Sequence, residues 1–397
     1  MICLYYDPST KKWAHNEIDQ DLRWGKFQIQ IPYSGSISNN MLPFFLSSGP
    51  HGKFIPIIGI LAADSKNKSA FFGNAPKFIR LQEALKEKGA LSIVITPSSL
   101  NDQEVNGFYY LKPINKWIRI TIPFPNVIYN RIPFRKMEKE PAFHSFSEII
   151  KEKKVLFFNP FFFSKWEVYT SLLKHSKLSS HLPVTKPYSA QALQDFLKDY
   201  DSVYIKANKG HKGEGIYRVS KKSTQILLST IRFEQRFESL TYLQRYLNDT
   251  LKNNDYIIQE SIQSDTFESK RYDLRILAHK GQNSHYKISG IGIRLSGSQD
   301  VTTHIPNGGS MIDKVHLEDK INMDVVEEII NAIGQQLSTD FKGLIGEFSV
   351  DLGKSVDGNY YIYEVNSKPM VFDEPEIKKR GLDNLANLLL QLTQVKE

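Results

Sequence analysis

The residues best suited to chemistry are Asp351, Glu364 and Asn366, within the stretch GEFSVDLGKSVDGNYYIYEVNSKP at residues 346–369. Alternating Phe348, Val350 and Leu352, an Asp-Gly turn at Asp357 and Gly358, and an aromatic and branched run from Tyr360 to Val365 predict a β-hairpin. A period of two puts Glu347 and Asp351 on one face of the first strand, and Glu364 and Asn366 on one face of the second. Hard oxygen donors on neighbouring strands suit Mg²⁺, which takes carboxylates together with substrate phosphates. The same residues would also suit the solvated face of an amphipathic hairpin.

Four upstream groups bear on that choice. In VYIKANKGHKGEGIYRV, Gly210, Gly213 and Gly215 free the backbone to close over an anion, and Lys206 ends the preceding strand as a point charge. A strand follows this loop, so it is neither a P-loop nor a dinucleotide fingerprint, and a plain hairpin tip is the rival reading. Lys165 opens a helix whose Ser164 and Glu167 have capping-box spacing; a solvated lysine is the rival there. The strand YIIQESI ends in Gln259, Glu260, Ser261 and Ile262, an edge able to offer backbone groups to a purine ring, or simply a strand leaving the core. Asp273 and Arg275 alternate onto one face of RYDLRI, with Arg294 on a neighbouring strand. Such arginines need a counter-ion, from a bound anion or from a structural Asp273–Arg275 pair.

The elements that must position these residues follow from pattern. FIPIIGILAA reads as a buried strand, Ala75 to Gly89 as a helix, LSIVITPSSL and NVIYNRIPFRK as further strands, and the charged stretch from Glu138 to Lys154 as helix-bearing. A second series then begins: a strand at VLFFNP, a helix from Ser164 to Lys174, a turn at Leu182 to Thr185, and a helix from Ala190 to Leu197. The strands already named follow, with helices at residues 239–253 and Met323 to Ser338 and a closing helix from about Leu382. The alternation lacks strict βαβ regularity, which predicts α+β lobes after a small α/β unit.

Composition bounds the rest. The chain has 397 residues, more than one ordinary core holds. Lys and Arg total 51 against 43 Asp and Glu, a net charge of +8, which favours acidic partners; no DNA- or RNA-binding motif stands out. The single cysteine, Cys3, allows neither an internal disulfide nor a cysteine-based zinc site. MICLYYDPSTKKW lacks the marks of a signal peptide and no run is long enough to span a membrane, so the expectation is a cytoplasmic protein.

Taken in order, these residues resemble the ATP-grasp superfamily over about residues 155–369. The likeness is closest to its YheC/YheD-like, endospore coat-associated group, carried over about residues 55–385 by GILAADS with FFGN, VIYNRI with Glu138, FFNP with Lys165-Trp166, HLPVT, RYDLRI and EVNSKP. The resemblance implies an ATP-grasp fold, two α+β lobes clasping ATP. The implied division is a β-rich segment at 1–50, a pre-ATP-grasp α/β domain at 51–150, an ATP-grasp domain at 151–385 with a lid lobe at about 185–262 and a second lobe at about 263–385, and a helix end at 386–397.

It also implies site roles. Lys165, Lys206, Gly210, Gly213 and Gly215 would hold the phosphates, and Gln259, Glu260, Ser261 and Ile262 the adenine. Arg275 and Arg294 would face the γ-phosphate and acyl phosphate. Asp351, Glu364 and Asn366 would hold one or two Mg²⁺, with Glu347 in support. Ala207-Asn208-Lys209 after Lys206 departs from the family's usual Lys-Pro and small residues, which leaves the lid conformation open. The implied activity is ATP- and Mg²⁺-dependent ligation of a carboxylate to an amine or thiol, with spore-coat proteins as partners and the coat as a location. The acid and its acceptor are not written in the sequence; Asn130, Arg131 and Arg135 are candidate carboxylate contacts. The rival readings are a phosphotransferase and a nucleotide-binding coat protein without catalysis.

Overall fold

Hydrophobic alternation decides which faces are covered, and the two compact units use it differently. In the computed structural model, residues 1–47, 53–67, 70–210, 215–222, 225–251, 255–297, 301–303, 305 and 308–394 are described. One unit comprises Met1–Phe161, Gly343–Gly346 and Lys379–Glu397; the other comprises Phe162–Lys342 and Glu347–Lys378.

The first unit is built on a six-stranded sheet in the order Lys116–Ile122, Val105–Leu111, Leu91–Ile95, Ile57–Leu61, Val127–Asn130, Leu156–Phe158. Its last four strands pair in parallel. Their near-continuous apolar runs fit burial on both faces: Ile57, Ile93 and Ile128 pack with Trp13, Trp24 and Phe44, while Ile58, Ile60 and Val94 pack with Phe78, Leu81 and Leu389. The stretch expected as a single strand from Phe54 divides at Pro56, which has no N–H to give to a ladder. Phe54–Ile55 joins a small sheet with Arg23–Trp24, and Ile57–Leu61 joins the large one. The N-terminal residues form a three-stranded sheet of Lys12–His15, Ile2–Asp7 and Leu42–Leu46.

The second unit holds two six-stranded sheets, each apolar on one face. The first runs Thr185–Pro187, Tyr256–Glu260, Ser202–Ala207, Ile216–Lys222, Gln225–Ser229, Glu234–Phe237. Val203, Ile205 and Ile258 pack under helices Ala190–Asp199 and Leu240–Thr250 through Leu193, Phe196, Leu243 and Leu247. The second sheet runs Ser310–Ile312, Tyr286–Leu295, Lys270–Lys280, Glu347–Lys354, Tyr360–Asn366, with Thr266–Phe267 paired to Lys270–Lys280. Leu274, Ile276, Ala278, Phe348, Val350 and Leu352 are fully buried, and helix Met323–Asp340 lies against Tyr286–Leu295. In both sheets the intervening residues point to the other face, and these include most of the charged candidates.

Two expectations change. The turn expected at Leu182 to Thr185 runs at its end into an unexpected edge strand, Thr185–Pro187, whose proline suits an edge because one side of the strand needs no donor. The closing helix starts at Pro375, not near Leu382: Pro375 fits the first helical position and Glu376 the positive N-terminal end. Among the described residues no helix is long and apolar enough to cross a membrane.

Candidate functional site

The second sheet of the second unit carries a row of charge across three adjacent strands. Arg275 lies opposite Asp351, and Asp351 lies opposite Glu364. Arg275 Nη1 is 3.9 Å from Asp351 Oδ1. Beside Glu364 the ladder slips: Asp351 pairs Glu364 while Leu352 pairs Ile362, which leaves Tyr363 as the extra residue of a β-bulge. Plain alternation would send Tyr363 and Glu364 to opposite faces. With the bulge, both line one cleft together with Asp351 and Asp273.

Lys206, Gln259 and Glu260 line the same cleft from the other sheet, and Ile262 lines it from just beyond the end of strand Tyr256–Glu260. Lys206 Nζ donates to Gln259 Oε1 at 2.6 Å, and Gln259 Nε2 donates to Thr185 Oγ1 at 3.0 Å, so the amide is fixed at both ends. The Lys206 ammonium stands 5.3 Å from the Tyr204 ring centroid and 5.9 Å from that of Tyr363. Burial, reinforced by the positive charge of Lys165, lowers the Lys206 ammonium to about 8. Glu260 accepts from the Val184 N–H at 2.8 Å, and the Ser261 N–H donates to the Ser202 carbonyl at 3.2 Å.

Lys165 reaches this group from the first position of helix Lys165–Leu172. The predicted capping box is formed: Ser164 Oγ accepts from the Glu167 N–H, and Glu167 accepts from the Ser164 N–H. Lys165 Nζ donates to Glu364 Oε1 at 2.7 Å and to the Gly210 carbonyl at 3.3 Å. Burial pushes the Glu364 carboxyl up, but the charge and hydrogen bond of Lys165, together with the charges of Lys206 and Arg275, outweigh it and leave Glu364 below its ordinary value. Asp351 goes the other way. Burial, against the pull of Arg275 and with the negative charges of Glu364 and Asp273, raises it to about 6.

Other expected residues have partners or places of their own on these elements, and Arg294 lies opposite Asp273 in the ladder. Arg294 is buried and gives a two-point hydrogen bond to Glu374 through Nη1 and Nη2. Glu347 sits at the far end of its strand, buried, with Oε1 3.5 Å from His279 Nε2. Asn366 ends its strand opposite Ser349, half-buried. Gly210 donates its N–H to the Ala207 carbonyl, and Gly215 takes a left-handed φ of +67° with its carbonyl on the Ala207 N–H. Gly213 lies outside the described residues.

Sequence reasoning missed Tyr204, Arg271, Thr303 and Tyr363, all of which line the cleft. Arg271 Nη1 donates to the Tyr204 hydroxyl at 2.7 Å, and Thr303 Oγ1 donates to Asp273 Oδ2 at 2.6 Å. Two of these had a signal: Arg271 shares the period of Asp273 and Arg275, and Tyr204 that of Lys206. The anticipated alternative of a structural Asp273–Arg275 pair is replaced by contacts of each residue with a different neighbour, Thr303 and Asp351.

The model of the family described as YheC/D like ATP-grasp matches residues 154–392. The chain belongs to this family. It is 27% identical over 346 residues to the endospore coat-associated protein YheD of Bacillus subtilis (strain 168), covering 81% of this chain and 75% of the relative. It is 21% identical over 304 residues to the endospore coat-associated protein YheC of the same strain, covering 73% and 83%. Among solved structures it is similar to D-alanyl-alanine synthetase A from Vibrio cholerae O1 biovar eltor, with a TM-score of 0.48 and 10% identity over 85% of this chain and 97% of the other.

ATP-grasp proteins pair a nucleotide with a divalent cation, and the donor set here can be tested for that. Among the described residues no group of three or more His, Cys, Asp and Glu side chains converges as a metal site. The candidate set is two carboxylates and one amide, all hard oxygen donors. Glu364 lies opposite Asp351 and helps to raise its carboxyl, a repulsion that a divalent cation would relieve. The residues fit magnesium in chemistry.

Proposed function

We propose that the chain is an ATP- and Mg²⁺-dependent ligase that joins a carboxylate to an amine or a thiol. The observation that supports this is a single cleft lined by Lys206, Asp351 and Glu364, with Lys165 bonded to Glu364. Asp351, Glu364 and Asn366 would hold one or two Mg²⁺, whose charge would offset that of the β- and γ-phosphates. Lys165 and Lys206 would neutralise the α- and β-phosphates, and the edge from Gln259 to Ile262 would receive the adenine.

The reaction proposed is attack of a substrate carboxylate oxygen on the γ-phosphorus, releasing ADP and leaving an acylphosphate. An amine or thiol then attacks the acyl carbon and phosphate departs. The chain's part is positioning and charge: Arg275 and Arg294 would stabilise negative charge on the phosphoryl and acyl groups, and the glycine-rich loop would exclude water from an intermediate that hydrolyses easily.

The names of the two Bacillus subtilis relatives support a link of this chain to the endospore coat, and also a second reading in which it holds nucleotide there without turnover. Thermal unfolding with and without Mg·ATP, followed by phosphate release over a panel of amino acids and peptides, tests both. Stabilisation with acceptor-dependent phosphate release is the expected result; stabilisation with no turnover favours the second reading, and no stabilisation removes both.

A further inference from the structure

We propose that Lys165 sets what the cleft will accept: it occupies Glu364 while phosphate is absent, so the site selects a metal–nucleotide complex over the free metal ion. The inference rests on the nucleotide-site reading above and goes beyond it, because it assigns Lys165 a role toward the metal as well as toward phosphate.

Three observations carry it. Lys165 Nζ is 2.7 Å from Glu364 Oε1, so a proposed metal ligand is already taken as a counter-ion. The Lys165 side chain is only 12% exposed and that of Glu364 27%, so neither charge has much water to turn to if the pair opens. The second carboxylate gives no easy alternative, since Asp351 Oδ1 is 3.9 Å from Arg275 Nη1 and Asp351 lies opposite Glu364 in the ladder.

A divalent cation arriving alone would either sit beside the Lys165 ammonium or strip it of its partner. A nucleotide removes that conflict. Its phosphate oxygens offer Lys165 a new counter-ion on the side where Lys206 already stands, close enough for the Lys165 charge to act on it. Glu364 is then released to the metal. Coupling between two ligands is reciprocal, so a metal ion held by Glu364 equally drives Lys165 toward phosphate. The Gly210 carbonyl, 3.3 Å from the same ammonium, keeps Lys165 within reach of both partners.

The test is Mn²⁺ binding to the full chain, read from the electron paramagnetic resonance signal of free Mn²⁺, with AMP-PNP binding measured by calorimetry. Without nucleotide, Lys165→Met is expected to bind Mn²⁺ about tenfold tighter than wild type, the size of an ordinary coupling. Lys165→Arg, which keeps the charge, is expected to match wild type, and adding Glu364→Gln to Lys165→Met is expected to abolish the gain. Should Lys165→Met fold poorly, Lys165→Gln gives the same comparison with a neutral donor in place. A folded neutral variant that binds Mn²⁺ no tighter than wild type, in a protein that binds AMP-PNP, overturns the inference alone. A wild-type chain that binds neither Mn²⁺ nor AMP-PNP overturns the nucleotide reading and the inference with it.

Discussion

Lys165 and Glu364 are 199 residues apart in sequence and joined by a 2.7 Å hydrogen bond in the fold. Removing either leaves a poorly solvated charge behind. Glu364→Ala is therefore expected to lower stability by about 3–5 kcal/mol, the usual cost of removing one partner of a buried ion pair, while unfolding stays cooperative. It should also remove the Mg²⁺-dependent part of the stabilisation by ATP. Normal Mg²⁺-dependent nucleotide turnover in this variant would show that the metal assignment is wrong.

Lys206 gives a pH dependence with a definite sign. Its ammonium is lowered from 10.5 to about 8 in the fold, chiefly by burial. Below about pH 8 it is charged in both folded and unfolded chains, and the folded state bears the desolvation penalty; that penalty, at most about 3 kcal/mol, is relieved as pH rises from about 8 towards 10.5. A phosphate needs the charged form, so nucleotide affinity should run the other way and fall as pH rises through about 8. Calorimetric titration of AMP-PNP across this range should show the decline in wild type and a flatter profile in Lys206→Met. A wild-type affinity that holds steady well above pH 8 would remove Lys206 from the phosphate site.

Tyr363 depends on a glycine. An added Cβ on Gly353 would come within 2.2 Å of the Tyr363 ring, so the absence of a side chain at 353 lets the bulged tyrosine lie where it does. Gly353→Ala should push the ring off the Lys206 ammonium, cost about 1–3 kcal/mol as an overpacking substitution, and weaken AMP-PNP binding more than a surface Gly→Ala would. Unchanged affinity with lowered stability would confine Tyr363 to a packing role.

The part of this site that the sequence disclosed is the part written in periods and order. The two-residue alternation places Lys206, Asp273, Asp351 and Glu364 on the uncovered faces of their strands, and the family resemblance supplies the order in which they occur. What lay beyond reach depends on contacts between distant segments or on slips in register. The bulge that turns Tyr363 toward Glu364 is set by ladder pairing, and the hold of Glu374 on Arg294 joins residues 80 apart. Thr185–Pro187 becomes a strand only because Tyr256–Glu260 presents an edge to pair with. A three-residue segment carries too little pattern to announce this.

Asn208 is where the sequence departs from the usual family residues, and the structure gives it a use. Its Oδ1 accepts from the Trp166 N–H at 2.8 Å, its carbonyl accepts from the Lys165 N–H at 3.0 Å, and its Nδ2 donates to Asp255 Oδ2 at 2.6 Å. The start of the helix that bears Lys165 is thus tied to the end of the strand that bears Lys206. Ser164→Ala, which breaks the capping box alone, should cost about 1 kcal/mol because Asn208 still holds the helix start. Asn208→Ala loses two side-chain hydrogen bonds at a buried position and should cost about 1–3 kcal/mol. If the tie also sets the distance between the two lysines, Asn208→Ala should weaken AMP-PNP binding well beyond Ser164→Ala at matched stability. Equal affinities in the two variants would show that Asn208 only stabilises the fold.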